Sequence, residues 1–321
     1  MLPEDIRNKK VMIAPLDWGM GHVTRSLALI KDLVANGNEL VFAGTKEQIQ
    51  IAKQDYPDLT YELIAGYDIT LDSAKSTYWQ MITQSAKMQK SIKQEEEVAQ
   101  SLALKYGIDI IISDNRYGFK SSKCENIILT HQLSPPVPTL RKAVRAQVVK
   151  WVNKFDFCWV PDHESNPICG DLNQVELKIP KLKIGPLSRM NFEELTKDID
   201  VLLISSGPEP ERSKFEKAFL VKLKSTDLLF KVVGQSAIKE DFYVNNPSGK
   251  ELEKLINSSK KVISRAGYTA IMELTKLKAA AILVPTKGQY EQEFLASHVK
   301  NDFLVFVSEK TLLENFTSFI D

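Results

Sequence analysis

Consecutive apolar runs and amphipathic stretches alternate along this chain from one end to the other. Residues 11–14, four apolar positions after Lys9-Lys10, read as a parallel strand buried on both faces. Residues 23–34 carry helical periodicity. The alternation then repeats, with strands predicted at 39–45, 59–63, 108–113, 126–130 and 155–160. Helices are expected at 46–54, at 140–155, and from a cap at Ser76 to about residue 106. Within that last helix the run Gln94-Glu-Glu-Glu-Val98 reads as a solvated face. A short extended stretch at 175–184, broken by Pro180, leads into the linker 185–189. The pattern then restarts, with strands at 200–205, 228–234, 261–264, 279–285 and 303–307. Helices are predicted between them, at 248–256, 268–277, 291–300 and up to residue 224. Strands alternating with helices through short joints specify an α/β fold with parallel sheets. We therefore expect two Rossmann-like, doubly wound domains, 1–186 and 187–321, facing each other across a cleft with their strand ends.

Composition narrows the class. The 321 residues are 43% hydrophobic and 26% charged, with net charge +1, which describes an ordinary globular chain. The near balance of charge holds within each half, so no nucleic-acid partner is expected. The start shows no apolar signal core and no run of about 18 apolar residues occurs, which together predict a cytoplasmic protein. Three cysteines without paired spacing fit the same reducing compartment. One segment qualifies this picture. Helix 140–155 carries Arg141, Lys142, Arg145, Lys150 and Lys154 beside an apolar stripe of Leu140, Val144, Val148, Trp151 and Phe155. The stripe reads first as core, and second as the face of a helix resting on an anionic membrane.

Candidate chemistry concentrates where strands hand over to helices. After the first strand come Gly19 and Gly21, then His22 at the start of a helix. Glycine permits close approach of backbone to ligand, and a helix amino end presents unpaired N–H groups to an anion. His22, at the carboxyl edge of the first strand, either takes a proton from a substrate hydroxyl or caps the helix. Asp114, at the end of the fourth strand, either orients that imidazole or simply forms a turn before Asn115.

The second half repeats the theme in 262–274, a strand, the glycine turn at Gly267 and a helix containing Glu273. Glu273 lies roughly 9 Å along the axis from Gly267. That distance suits a carboxylate on ribose hydroxyls when a diphosphate sits at the helix amino end, and it suits a solvated acid equally well. No metal is expected. Cys158, His163 and Cys169 lack a zinc-site spacing, and Asp198-Ile-Asp200 falls at the entry of a strand, away from the ligand edge.

Four motifs in order, Gly19-x-Gly-His22, Ser206-Gly207, Ser264-Arg-Ala-Gly267 through Glu273, and Pro285 through Gln292, resemble those of the two-domain B-type glycosyltransferases. The similarity is greatest to the subfamily of the bacterial N-acetylglucosaminyltransferase that makes the lipid-linked peptidoglycan precursor. The resemblance implies transfer of a hexose or N-acetylhexosamine from a nucleotide-diphosphate sugar, with uridine as its base, to an acceptor hydroxyl. It implies His22 as acceptor base, and Ser206, Gly207 and Gly267 at the donor diphosphate. It also implies Glu273 on the ribose, Glu291 and Gln292 on the donor sugar, and Arg189 or Arg265 assisting the leaving diphosphate. The expected displacement inverts the anomeric centre and requires neither metal nor cofactor. Two departures stand out, the bulky Leu16-Asp-Trp18 before the first glycine and Pro208 directly after Gly207. The acceptor is therefore left open, a lipid-linked hydroxyl with peripheral contact at the inner membrane face being one option. A sugar-nucleotide 2-epimerase and a non-catalytic nucleotide-sugar-binding subunit are the alternatives.

Overall fold

The computed structural model describes every residue except 19, 68–84, 138, 166, 237 and 321, and the chain forms two compact units, Met1–Arg189 and Met190–Asp321. In the first unit a seven-stranded parallel sheet has the order β3-β2-β1-β4-β5-β6-β7. Its strands are β1 Lys10–Pro15, β2 Glu39–Gly44, β3 Thr60–Leu63, β4 Ile110–Asp114, β5 Glu125–Leu129, β6 Phe157–Val160 and β7 Lys181–Lys183. Every residue of β4, and all of β1 after Lys10, is buried, as expected of central strands covered on both faces. Helix α1, Met20–Ala35, packs on this sheet through Leu27, Leu29, Ile30 and Leu33, none of them exposed. At about 25 cal/mol per Å² of apolar surface, each such leucine contributes roughly 2 kcal/mol.

Helix α2, Lys46–Asp55, opens with a capping box between Thr45 and Gln48. The buried Gln48 amide also donates to the Leu16 carbonyl at 2.9 Å. A backbone carbonyl of the loop between β1 and α1 is thereby satisfied, and the loop is tied to the neighbouring helix.

The second unit is a six-stranded parallel sheet of order β10-β9-β8-β11-β12-β13. Its strands are β8 Ile199–Ile204, β9 Phe230–Gly234, β10 Tyr243–Asn245, β11 Ser259–Arg265, β12 Ala281–Val284 and β13 Leu304–Phe306. Numbered from its own first strand, that order is 3-2-1-4-5-6, the dinucleotide-fold arrangement, and the first unit starts the same way. In each sheet the winding reverses between the first and fourth strands, β1 and β4 or β8 and β11. The fold is thus α/β with two Rossmann-like units, as the pattern predicts.

Some details differ. The strand Tyr243–Asn245 and the terminal helices Glu309–Glu314 and Phe316–Ile320 carry no clear period and are absent from the sequence reading. Of the helix expected from Ser76, the part Ser85–Tyr106 (α3) is seen, and 76–84 lies outside the described residues. The acidic run in α3 is not wholly solvated. Glu95 is buried, ion-paired with Arg116, and accepts from the Tyr67 hydroxyl at 2.6 Å and the Gly118 N–H at 3.1 Å. This network ties the turn after β4 to α3, and a Cβ at Gly118 would collide with the Ile92 carbonyl. Among the described residues no helix is long and apolar enough to cross a membrane.

Candidate active site

The reversal in the first sheet brings β1 and β4 side by side, with Pro15 paired in register to Asp114. The chain leaving β1 enters α1, so the first turn of that helix stands over the end of β4. His22 falls in that turn, and its Nδ1 lies 2.8 Å from Asp114 Oδ1. Because α1 begins at Met20, His22 is inside the helix and bonds a carboxylate. The geometry selects the pairing with Asp114 over the capping alternative.

Asp114 is fully buried, and so is Arg25, one helical turn after His22. Arg25 Nε donates to Asp114 Oδ2 at 2.6 Å, and its Nη2 donates to Oδ1 of the same carboxylate. Arg25 Nη1 reaches His131 Nδ1 at 2.8 Å, just beyond β5. Burial works to raise the Asp114 carboxyl, but Arg25 and His22 outweigh it and hold the pKa at about 2. For His22, burial is the largest influence and lowers the pKa. Asp114 opposes it, Arg25 and His131 add to it, and the net position is below the ordinary value. At neutral pH the site therefore contains an ionised carboxylate facing a neutral imidazole. A carboxylate at 2.8 Å calls for the proton on Nδ1, which leaves the Nε2 lone pair as acceptor. Nε2 makes no hydrogen bond to a described residue, and 14% of the His22 side chain is exposed.

Sequence reasoning missed Arg25 and His131. The available signal for Arg25 was its spacing of three from His22 on one helix. His131 had none, since only the sheet order brings the end of β5 beside that of β4. Gly21 precedes His22 in the same turn, while Gly19 lies outside the described residues.

The second unit repeats the layout without the imidazole. β8 and β11 are adjacent, with Ile204 paired to Ser264, so Ser205-Ser206-Gly207 and Arg265-Ala266-Gly267 leave the sheet next to each other. Gly207 has φ +111°, which disfavours any side chain. Gly267 caps the helix Tyr268–Lys276 (α7) with no side-chain cap, and a Cβ there would meet nothing within 4 Å. The amino end of α7 thus opens at this turn with no side chain of Gly267 over it. Ser205 Oγ is buried here with no hydrogen bond to a described residue. Glu273 lies further along α7, partly buried.

Two predicted cations are already engaged. Arg265 is buried, contacts Glu309 at 2.9 Å and stacks over the Phe215 ring at 4.0 Å. Arg189 belongs to the first unit, where it pairs with Asp55 at 2.5 Å. Beyond β12, Gln292 Oε1 accepts from the Thr286 N–H at 2.9 Å, fixing the loop ahead of the helix Tyr290–His298, on which Glu291 is partly buried. A cavity of about 1100 Å³ opens at the ends of β12 and β13, lined by Pro285, Lys287, Glu293, Phe306 and Glu309. Asp200 lies at the start of β8, at the opposite edge of its sheet, held by Lys260 at 2.7 Å.

Comparison with known proteins adds an independent line. Residues 239–312 match the model of the glycosyltransferase family 28 C-terminal domain. No curated protein sequence matches the chain. Among solved structures, the glycotransferase of kitacinnamycin superposes with TM-score 0.63 at 14% identity, covering 98% of this chain and 90% of that one. UGT2 of Phytolacca americana, complexed with UDP-2-fluoro-glucose and pterostilbene, gives 0.59 at 14% identity, covering 90% and 82%. MurG of Acinetobacter baumannii gives 0.53 at 14% identity, covering 98% and 91%. At such identities the superpositions speak for the fold, and the domain match speaks for the chemistry. On that match and this architecture, the chain is a glycosyltransferase of the B-type fold, with a carboxyl-terminal domain similar to that of family 28.

Proposed function

We propose that the chain transfers a hexose or N-acetylhexosamine from a uridine-diphosphate sugar to an acceptor hydroxyl, with inversion and without a metal. The observation that carries this reading is the His22–Asp114 pair at the switch point of the first sheet. His22 Nε2 takes the acceptor proton as the new bond to the anomeric carbon forms. The bond from that carbon to the diphosphate breaks, and its electron pair leaves with the nucleotide. Asp114 stabilises the resulting imidazolium. In the second unit, amides after Gly207 and Gly267 receive the diphosphate charge, Glu273 the ribose, and Glu291 and Gln292 the sugar. Uridine is supported by the UDP-sugar in the Phytolacca relative. The assay is incubation with a panel of nucleotide sugars and hydroxyl acceptors, read by mass spectrometry. Acceptor-dependent release of UDP with a glycosylated product supports transfer. Conversion of the nucleotide sugar alone would indicate an epimerase, and binding without turnover a non-catalytic subunit.

Two expected results accompany this reading. Glu273→Ala loses about 1.5–3 kcal/mol of UDP affinity, the worth of charged hydrogen bonds to the ribose. Calorimetry checks it, and unchanged affinity would remove Glu273 from the ribose. Chelator leaves turnover intact, because Asp200 is held by Lys260 at the edge opposite the glycine turns. Turnover lost with chelator and restored by magnesium would reverse that assignment.

The acceptor class and location rest on helix α4, Arg141–Val152. Val144, Val148 and Val152 are buried, so its stripe is core, while Arg141, Lys142, Arg145 and Lys150 are exposed and no acid interrupts them. Leu140, just ahead, is 63% exposed. We place the protein in the cytosol, in peripheral contact with anionic lipid through this helix and suited to a lipid-linked acceptor. Cosedimentation with phosphatidylserine vesicles at low salt, abolished by Arg141→Glu with Arg145→Glu, is the expected outcome. Equal sedimentation with neutral vesicles would count against it.

A further inference from the structure

Arg25 touches His22, Asp114 and His131 together. From its own helix it reaches His22 Nδ1 at 2.9 Å, from β4 it holds both oxygens of Asp114, and from the loop after β5 it meets His131 Nδ1 at 2.8 Å. Ser26 Oγ adds one weak contact to Asp114 at 3.4 Å. A guanidinium carries only donors in a rigid planar fork, so whatever it bonds must present a lone pair. His131 therefore accepts at Nδ1 and carries its proton on Nε2. His22 is in the opposite situation. Its Nδ1 meets both Arg25 Nη2 at 2.9 Å and Asp114 Oδ1 at 2.8 Å, but Nη2 already donates to that same oxygen. A charge-assisted N–H to carboxylate bond is about twice as strong as a neutral one, so the Nδ1 proton goes to Asp114 and the Nη2 approach is a contact without a hydrogen bond.

Resting on the reading of His22 as the base, we propose that Arg25 is the positioning residue of this site, holding His22 and His131 in opposite tautomers. The fork fixes the Asp114 carboxylate in rotation, and Asp114 in turn fixes the imidazole so that Nε2 points outward as a lone pair. Arg25 is itself 1% exposed and touches no substrate in this role. Its positive charge disfavours a second positive charge on His22, so the base stays unprotonated into mildly acidic solution.

The first test uses the unaltered protein. Nitrogen-15 spectra of its four histidines at pH 7.5, assigned with His22→Gln and His131→Gln, should show His22 protonated on Nδ1 and His131 on Nε2. The same tautomer for both, or a charged His22, overturns the proposal. The second test compares pH profiles. In Arg25→Gln the acid limb of turnover moves up by about one pH unit or more, so activity at pH 6 falls about tenfold further than at pH 8.5. The KM for the donor stays within about twofold, since positioning affects the chemical step. A purely structural arginine would scale turnover by one factor at every pH, and that result also overturns the proposal. Should Arg25→Gln not fold, Arg25→Lys keeps the charge without the fork. Its His131 signal should then redistribute between tautomers, and an unchanged spectrum would refute the fork. The two readings fail separately. His22→Gln with full turnover ends the base, whereas inactive His22→Gln beside an unmoved Arg25 profile ends only the positioning.

Discussion

His22→Ala transfers sugar about 100- to 10,000-fold more slowly than the parent, the range for removal of a general base. Its affinity for UDP is unchanged, because the candidate donor residues of the second unit, Gly207, Gly267 and Glu273, make no use of the imidazole. The fold persists, since Asp114 keeps both bonds from Arg25 when His22 is removed. Single-turnover rates and calorimetric affinities measured on one preparation separate the two quantities. The expected pH dependence has a definite sign. Burial, Arg25 and His131 together outweigh Asp114 and depress the His22 pKa, so the parent stays active somewhat below the pH at which a free imidazole protonates. Residual activity of His22→Ala lacks that acid limb. Turnover at the parent rate would leave the His22–Asp114 pair without a catalytic role.

The alternating pattern made the two sheets legible, because buried parallel strands are continuous apolar runs and their helices carry a different period. Legibility ended where contact depends on sheet order. His22 is visible as the residue after a glycine turn, and Asp114 as the end of a strand, but only the β1–β4 pairing joins them across 92 positions. Arg25 looks like any polar residue in an amphipathic helix until the end of β4 is placed beneath it. Glu95 shows the converse. Three consecutive glutamates suggest a solvated face, yet a 3.6-residue period turns one of them inward, and burial is tolerated because Arg116 arrives from another element. Arg189, beside the linker, pairs with Asp55, a partner 134 positions away that no local pattern announces.

Asp114→Ala destabilises the first unit by about 3–5 kcal/mol, the usual effect of leaving one partner of a buried pair uncompensated. Arg25 would lose the carboxylate that accepts from its Nε and Nη2, and the two imidazoles it also contacts, His131 and His22, bring no negative charge. A loss of that size lowers Tm by about 10 °C in a domain of this length. The parent shows the same linkage as an acid dependence. Its Asp114 pKa is about 2 when folded, below the ordinary value of 3.8, so the folded state binds that proton less readily than the unfolded chain. The contribution is complete above about pH 4 and disappears as pH falls through 2, amounting to about 2–3 kcal/mol for a shift of this kind. The depressed His22 pKa acts in the same direction at milder pH, because protonation below about 6.5 favours the unfolded chain. Asp114→Asn, similar in size but unable to ionise, removes the lower part of this slope and keeps the upper part, which grows because the carboxylate that favoured the charged imidazole is gone. The sequence has no tryptophan after Trp159, so tryptophan fluorescence follows the unfolding of the first unit without interference from the second. Urea titrations at pH 3, 4.5 and 7 should therefore show parent stability falling between 4.5 and 3 more steeply than that of Asp114→Asn. Parallel slopes in the two proteins would mean that Asp114 binds its proton equally well folded and unfolded, and that the buried Arg25 fork contributes nothing to holding it ionised.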